Sequence, residues 1–355
     1  MRFEPLRIAD IRQETADTIS VALAVPDRQR PCFVFQPGQY LTLRTYLNGE
    51  EMRRSYSICS GLDDGELRVA IKRVDGGRFS AWAHGALQVG GTLDVMPPDG
   101  RFGAGPAAVM ARLNLGVAAG SGITPILSIL KSTLTREPAS RFILLYGSRA
   151  TGQIIFREQL EELKDRFMGR LSIVHVLSRE QQDAPVLNGH LDGAKVLTLL
   201  GGLAAVQDVD HAYLCGPAGM IDDVQMALTE AGMAQERIHS ERFTSSSPAV
   251  LRPRPSAAAV AIPRAVAVIV ADGIRTEVPV DTGETVLEAA LRAGLDLPYS
   301  CRGGMCSTCR ARVTEGSVRM DVNYALEPWE TTAGYVLTCQ SHPTTDRLTV
   351  DYDHV

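Results

Sequence analysis

Short alternating segments of hydrophobic and polar residues fill the chain from residue 6 to about residue 95, and turns separate them. Turn-forming pairs such as Asn48-Gly49 and Asp64-Gly65 lie between these segments. Alternation with a period of two is typical of strands with one buried face, and many short strands with such turns favour an antiparallel β-barrel. The pattern predicts strands over residues 18–24, 39–46, 51–57, 67–74 and 92–95.

From residue 113 the pattern changes to a short apolar strand, a loop and a helix, repeated in turn. Such a βαβ array indicates a parallel sheet with helices on both faces, whose ligand crevice lies at the carboxyl ends of the strands. The predicted strands are 113–119, 141–147, 170–178 and 211–215, and the predicted helices are 125–134, 153–167, 217–231 and one within 189–200.

A third region follows a segment rich in Ser, Pro and Ala, residues 244–264, which is typical of a semi-extended tether. Two strands (266–270 and 275–280), an amphipathic helix (285–293) and a glycine- and cysteine-rich loop are predicted after it. A length of 355 residues favours two or three domains. We expect domains at 1–108, 109–243 and 265–355, joined by the linker 244–264.

Composition narrows the class of protein. Hydrophobic residues make up 45% and charged residues 22%, as in ordinary globular proteins, and neither a signal peptide nor an apolar run of membrane-spanning length is visible. Seven cysteines, an odd number, favour a reducing cytoplasm. The seven histidines show no paired spacing for a metal site or catalytic triad, and no basic stripe indicates nucleic-acid binding.

The net charge of -5 is carried by the last region, which has 13 acidic residues, 7 arginines and no lysine from position 265 onward. An acidic surface of this kind either keeps the region solvated or steers it toward a basic partner. Both interpretations remain open from the sequence.

Four cysteines carry the most specific chemistry in the chain. Cys301, Cys306 and Cys309 are spaced C-x4-C-x2-C, and Cys339 follows thirty residues later. This is the ligand pattern of a plant-type [2Fe-2S] cluster, in which four thiolates hold two irons. A structural zinc site or a pair of disulfides is the alternative, but zinc sites usually present two C-x2-C pairs and only one is present here.

The first region offers a candidate site for a phosphate-bearing aromatic cofactor. Arg54, Tyr56 and Ser57 supply a guanidinium, an aromatic plane and a hydroxyl on one predicted strand, although a plain barrel wall would also fit. The glycine-rich stretch that includes Gly77, Phe79 and Ser80 then leads into a short helix. Glycine and a helix N-terminus together favour binding of an anion such as a pyrophosphate.

In the second region, three predicted strands end in candidate nucleotide-binding residues. After the first strand come Gly120, Ser121, Gly122, Ile123, Thr124 and Pro125, a glycine turn with proline in the first turn of a helix. Ser148 and Arg149 end the second strand, where a cation would accommodate the 2′-phosphate of NADPH. Cys215, Gly216 and Pro217 end the last strand, where a buried apolar cysteine before a helix is the alternative.

Taken together, these motifs resemble the ferredoxin-NADP reductase family, in the oxygenase-reductase arrangement with a β-grasp plant-type ferredoxin at the C-terminus. The resemblance covers essentially the whole chain and implies an FAD-binding barrel, an NAD(P)-binding α/β domain and a [2Fe-2S] domain. It implies FAD contacts for Arg54, Tyr56, Ser57, Lys72, Gly77, Phe79, Ser80 and Phe243, and a place beside the nicotinamide for Thr124 and Cys215.

The implied activity is electron transfer from NADPH, with NADH as a second possibility, through FAD and [2Fe-2S] to a separate oxygenase of the di-iron kind. Reduction of another multicomponent oxygenase or of a hybrid-cluster protein is an alternative. A redox-sensing protein that binds the cofactors without turnover is an alternative of a different class.

Overall fold

The structure is a computed structural model, and it describes residues 2–103, 111–243 and 263–353. Residues 3–52 and 56–245 belong to one compact unit, and residues 1–2, 53–55 and 246–355 belong to another. The predicted linker 244–264 lies outside the described residues except for its last two positions, at which a strand of the C-terminal region begins.

The first region is an antiparallel sheet of six strands in the order β4-β3-β6-β1-β2-β5. All five predicted strands are present, and the sheet contains a further, 12-residue strand at its start that the prediction missed. That strand pairs with both β2 and β6, so it links the two halves of the sheet. The elements are β1 Glu4–Thr15, β2 Thr18–Ala24, β3 Tyr40–Leu47, β4 Glu50–Ser57, β5 Leu67–Lys72, α1 Arg78–Ala86 and β6 Thr92–Val95.

Alternation along these strands places one set of side chains in the barrel core. Leu6, Val21, Leu41 and Val69 are fully buried there, and Phe79 from α1 joins them at 2% exposure. The short helix is therefore anchored to the barrel by its own second residue.

The second region is a five-stranded parallel sheet in the order β11-β10-β7-β8-β9. It has the predicted βαβ pattern and one strand more than predicted, β11, on its edge. The elements are β7 Leu113–Ala119, α2 Ile123–Arg136, β8 Arg141–Ser148, α3 Arg157–Arg166, β9 Leu171–Leu177, α4 Gly193–Gly201, β10 His211–Gly216, α5 Ala218–Glu230 and β11 Ile238–Arg242.

Because both faces of this sheet are covered by helices, its strands are almost continuously apolar. One core lies against α2 and α3 and includes Ile126, Leu130 and Tyr146, and the other lies against α4 and α5 and includes Val117, Leu145 and Val224. The sheet is thereby packed on both faces up to the carboxyl ends of its strands, where the glycine-containing loops begin.

The third region is a mixed sheet in the order β13-β12-β18-β14-β16 with a separate two-stranded sheet, β15-β17. Its main helix begins with a capping box, in which Thr285 and Glu288 each bind the other's backbone amide. The elements are β12 Pro263–Ala271, β13 Ile274–Asp281, α6 Val286–Arg292, β14 Arg310–Glu315, β15 Val318–Met320, α7 Pro328–Thr332, β16 Tyr335–Leu337, β17 Ser341–Pro343 and β18 Arg347–Asp351.

None of the helices in the described ranges is both long and apolar enough to cross a lipid bilayer.

Candidate active site and cluster site

The four cysteines of the C-terminal unit come together in two pairs. Cys301 and Cys306 lie with their Sγ atoms 3.2 Å apart, which is contact distance and well beyond a disulfide bond. Cys309 and Cys339 form the second hydrogen-bonded pair, and all four thiols are free. Cys306, Cys309 and Cys339 are buried, whereas Cys301 is half-buried.

The loop that carries these thiols is turned so that backbone amides point at sulfur. Gly303 N and Cys306 N each donate to Cys301 Sγ over 3.4 Å. Gly304 sits at φ +73°, and a Cβ there would come within 2.9 Å of Val322 Cγ2, so a larger residue would not fit.

Hydrogen bonds to sulfur favour the thiolate in one member of each pair. The Cys306 thiol and three backbone amides lower the pKa of Cys301 to about 6. The Cys309 thiol likewise lowers the pKa of Cys339. Two neighbouring pairs of cysteine thiols supply the four sulfur ligands that a two-iron cluster requires.

The barrel residues predicted to hold FAD divide into those that can meet a ligand and those that cannot. Arg54 is exposed and Tyr56 is half-buried, with its ring centroid 5.7 Å from that of Phe79. Phe79 itself is packed in the core, so only its backbone could approach a cofactor. Ser57 is buried.

The predicted pyrophosphate loop is closed by Ser80. Its hydroxyl accepts a hydrogen bond from Val74 N (3.1 Å) and donates one to Gly77 O (3.2 Å). No side chain caps α1, whose N-cap is Gly77, so its first turn offers amides with no competing side-chain acceptor. Ser80 therefore shapes the loop, whereas the amides of the first turn are the groups that fit an anion.

The predicted dinucleotide turn lies directly against the end of β10. Gly120 has φ +55°, and a Cβ on Gly122 would lie 2.1 Å from Cys215 O, which is impossible for any other residue. Ile123, Thr124 and Pro125 are all buried in the first turn of α2. The sequence predicts this turn, and the structure shows why its second glycine, Gly122, has no room for a side chain.

Lys72 links the barrel to this turn. Its Nζ atom lies 3.6 Å from Asp17 Oδ2 and 3.9 Å from the position that a Gly120 Cβ would take. Lys72 thus places a cation beside the glycine turn, in an ion pair with Asp17.

Two residues that contact the predicted nucleotide-binding residues were not identified from the sequence. Tyr146 is fully buried and donates from its hydroxyl to Gly120 O over 2.9 Å. Arg179 is exposed at the end of β9 and its backbone N donates to Arg149 O over 2.7 Å, which brings the two arginines to the same edge of the sheet. Only the pairing of β8 with β9 could have revealed this neighbour.

Of the two predicted phosphate-binding side chains, that of Arg149 has no competing partner in the described ranges. Arg149 is exposed and makes no ion pair with a described residue. Ser148 is buried, and its hydroxyl lies beside that of Tyr146, which also binds Gly120 O and Ile155 N. An exposed guanidinium group next to a hydroxyl at the end of this strand fits an anionic ligand group.

A carboxyl group joins the predicted flavin and nicotinamide residues. Ser57 Oγ donates to Glu241 Oε2 over 3.2 Å, and Glu241 is the register partner of Cys215 in the parallel pair β10-β11. Burial raises the pKa of Glu241 to about 7, and burial, with a smaller effect from Glu241, raises the pKa of the Cys215 thiol. Cys215 is thus a neutral thiol.

The backbone around these residues is tightly fixed. Phe243 N donates to Gly216 O over 3.1 Å, and Pro217 is the N-cap of α5. A Cβ on Gly216 would lie 2.8 Å from the flexible end of Met220 and 3.1 Å from Ala119 Cβ, so this strand end is closely packed. The phenyl ring of Phe243 packs partly buried against the core that contains Cys215.

Comparison with known proteins agrees with this division of the chain. Residues 5–103 match the oxidoreductase FAD-binding domain, residues 117–226 match the oxidoreductase NAD-binding domain, and residues 269–344 match the 2Fe-2S iron-sulfur cluster binding domain. The cofactors of this protein are therefore FAD, a nicotinamide nucleotide and a [2Fe-2S] cluster.

Relatives match over the whole length. A subunit of the 1,2-phenylacetyl-CoA epoxidase from Escherichia coli (strain K12) is 42% identical over 99% of this chain and 98% of its own. The ferredoxin reductase component of 3-ketosteroid-9-alpha-monooxygenase from Rhodococcus rhodochrous is 35% identical over 98% of this chain and 96% of its own.

A solved structure shares the fold. Phthalate dioxygenase reductase, described as a modular structure for electron transfer from pyridine nucleotides to [2Fe-2S], superimposes with a TM-score of 0.58 at 22% identity and covers 98% of both chains. The chain thus belongs to the family of oxygenase reductase components that join an FAD-binding, an NAD-binding and a [2Fe-2S] domain.

Proposed function

We propose that this reductase takes electrons from NADPH in preference to NADH and delivers them to the di-iron oxygenase that epoxidises phenylacetyl-CoA. The observation that carries the acceptor is the 42% identity to a subunit of that epoxidase over 99% of the chain. Bound FAD supplies the conversion of a two-electron donor into one-electron transfers, and a bound [2Fe-2S] cluster supplies one-electron transfer.

Each proposed domain contains one matched family segment. We place the flavin domain at 1–108, the nucleotide domain at 109–243 and the cluster domain at 265–355, with 244–264 as the linker, because each matched family segment falls inside its proposed domain. We also propose a cytoplasmic location, because free thiols and an odd cysteine count suit a reducing compartment.

The chain's own residues would perform three tasks. The amides at the start of α1 and the guanidinium of Arg54 would hold the flavin phosphates, and Tyr56 would lie against the ring. Ser57 and Glu241 would hold a proton between them beside the reacting rings, and the neutral, buried Cys215 would keep water out. Cys301, Cys306, Cys309 and Cys339 would ligate the cluster, with amides directed at the Cys301 sulfur.

Turnover tests the reductase assignment. Flavin-replete protein should oxidise NADPH steadily with ferricyanide or cytochrome c as acceptor. Cys306→Ser should abolish cytochrome c reduction, because the cluster loses a ligand, and should retain ferricyanide reduction by the flavin. Absence of NADPH turnover in the wild type would instead favour a redox-sensing protein.

Reconstitution tests the acceptor. With purified oxygenase subunits of the phenylacetyl-CoA epoxidase, NADPH consumption should depend on phenylacetyl-CoA and match its loss. If cytochrome c is reduced but the epoxidase is not, the acceptor is another multicomponent oxygenase or a hybrid-cluster protein, and capture of the native partner becomes the next step.

Preference for NADPH is supported by Arg149, Arg179 and the hydroxyl of Ser148, which lie at one sheet edge. Two guanidinium groups suit a phosphate dianion but gain nothing from the ribose hydroxyl of NADH. Arg149→Glu should lower the ratio of kcat/KM for NADPH to that for NADH by about tenfold or more.

A control variant comes from the same strand. Arg141→Glu makes the same charge change on an exposed arginine at the opposite end of β8 and should leave the nucleotide ratio unchanged. If both variants behave alike, overall charge rather than a phosphate site determines nucleotide choice.

A further inference from the structure

Two successive backbone carbonyl groups of the dinucleotide turn, those of Gly120 and Ser121, accept hydrogen bonds from groups inside the protein. Gly120 O and Ser121 O both accept from Ile123 N. Each also accepts a side-chain hydroxyl: Tyr146 donates to Gly120 O over 2.9 Å, and Thr124 Oγ1 donates to Ser121 O over 3.0 Å. Two carbonyls in a row are thus held by hydroxyl groups of the protein.

The hydroxyl of Tyr146 has a fixed direction. It accepts from Ile155 N over 3.3 Å, so its own proton is directed to Gly120 O. The ring is fully buried and lies 5.8 Å from the ring of His175, so the side chain cannot swing away. Tyr146 lies on β8, next to β7 in the sheet, so it holds the turn from a neighbouring strand.

A peptide unit can present either its N–H or its carbonyl to a ligand. A carbonyl oxygen that faced a phosphate would repel it, whereas an N–H would bind it. The turn also has a positive φ at Gly120, a conformation that glycine adopts without strain but also leaves easily. A hydroxyl bond to the carbonyl of that same glycine fixes which way its peptide points.

We infer that Tyr146 is a positioning residue for the nicotinamide nucleotide: its hydroxyl, helped by that of Thr124, holds the carbonyls of the glycine turn inward so that the turn meets the phosphate with N–H groups. This inference rests on the proposed use of NADPH. It gives Thr124 a role in shaping the turn, in addition to its predicted place beside the nicotinamide.

Tyr146→Phe tests the inference, because it removes one oxygen atom and leaves the ring. The dissociation constant for NADP⁺, measured by titration of the flavin absorbance, and the KM for NADPH should both rise about tenfold. The kcat with ferricyanide at saturating NADPH should stay within about twofold, since the reacting rings are not displaced.

Tyr352→Phe is the matched control. Tyr352 is also buried and its hydroxyl donates to Thr338 Oγ1 over 2.7 Å, but it lies in the cluster-bearing unit. Loss of this hydroxyl should leave the dissociation constant for NADP⁺ and the rate of ferricyanide reduction unchanged. It should lower the thermal stability by about as much as Tyr146→Phe does.

A second pair of variants serves if Tyr146→Phe does not fold with FAD. Thr124→Val removes the other hydroxyl bond and should raise the NADP⁺ dissociation constant, whereas Thr124→Ser retains the donor and should restore it.

Unchanged nucleotide affinity in Tyr146→Phe, or in Thr124→Val relative to Thr124→Ser, overturns the inference. A lower kcat at unchanged KM overturns it as well. Lack of NADPH turnover in the wild type would count against the proposed function alone, because NADP⁺ binding is measured without turnover.

Discussion

The two glycine-containing loops of this protein look alike in sequence and are built differently. Each follows a strand, contains a pair of nearby glycines and leads into a helix that no side chain caps. The flavin loop is closed by its own Ser80, which binds Val74 N and Gly77 O. The nucleotide turn is closed by Tyr146, 26 residues further along, and packs against the carbonyl of Cys215.

The difference shows which part of a binding motif is local. A loop closed within seven residues can be recognised and perturbed as a unit, so a change in it should affect one cofactor. A turn closed by two other strands is part of the sheet packing, so a change in it should affect both binding and stability. Substitutions in the two loops separate these cases.

Gly122→Ala should have the largest effect. A Cβ at this position would lie 2.1 Å from the carbonyl oxygen and 2.5 Å from the carbonyl carbon of Cys215, and neither backbone atom can move aside without disturbing β10. We expect a loss of about 3 kcal/mol in unfolding free energy and undetectable binding of NADP⁺. Thermal unfolding and nucleotide titration measure the two effects.

Gly152→Ala provides the control, because a Cβ there meets no atom within 4 Å and the residue lies in the same domain. If Gly122→Ala binds NADP⁺ as tightly as Gly152→Ala does, the turn is more adaptable than its packing indicates, and the contrast between the two loops disappears.

Gly77→Ala should have a smaller effect, confined to FAD. Its Cβ would lie 2.6 Å from Ser80 Oγ and 3.0 Å from Val74 O. Because the closest atom belongs to a side chain of the same loop, we expect weaker FAD retention, by about 1 to 2 kcal/mol, with NADP⁺ binding preserved. The ratio of FAD to protein after gel filtration measures retention.

A double variant shows whether the strain is local. In Gly77→Ala/Ser80→Ala the clashing oxygen is absent, so FAD retention should be higher than the sum of the two single losses implies. Strict additivity would mean that the flavin loop, like the nucleotide turn, depends on more distant residues.

The same contrast explains how far the sequence could be interpreted. The order of domains, five barrel strands, the four cysteines and both glycine loops follow from local patterns, and the comparisons confirm the three domain types. Tyr146, Arg179 and Glu241 act through neighbours on other strands, and no spacing in the sequence indicates those contacts. The glycine-rich motif also does not show which of its side chains point inward. Phe79 and Ser80 are predicted to contact FAD, but the side chain of Phe79 packs in the barrel core and that of Ser80 binds the backbone of its own loop.

Glu241→Gln should have the smallest effect, and it tests a contact that joins residues of both regions. Ser57, from the predicted flavin motif, donates to the half-buried Glu241 over 3.2 Å. Burial raises the pKa of this carboxyl from 4.5 to about 7, so the folded protein favours its neutral form. The resulting stabilisation is complete below pH 4.5 and is lost as the pH rises through about 7.

Glutamine mimics the neutral carboxyl at every pH, so the variant should lose less stability than the wild type between pH 5 and pH 8, by about 1 kcal/mol. Thermal unfolding of FAD-replete protein across this range measures the difference, and Glu236→Gln, at an exposed carboxylate of the same domain, is the control. Parallel curves for wild type and Glu241→Gln would mean that the carboxyl is solvated in the folded protein. The meeting of Ser57 with Glu241 would then be a surface contact, and the proton that we place between them would have no defined site.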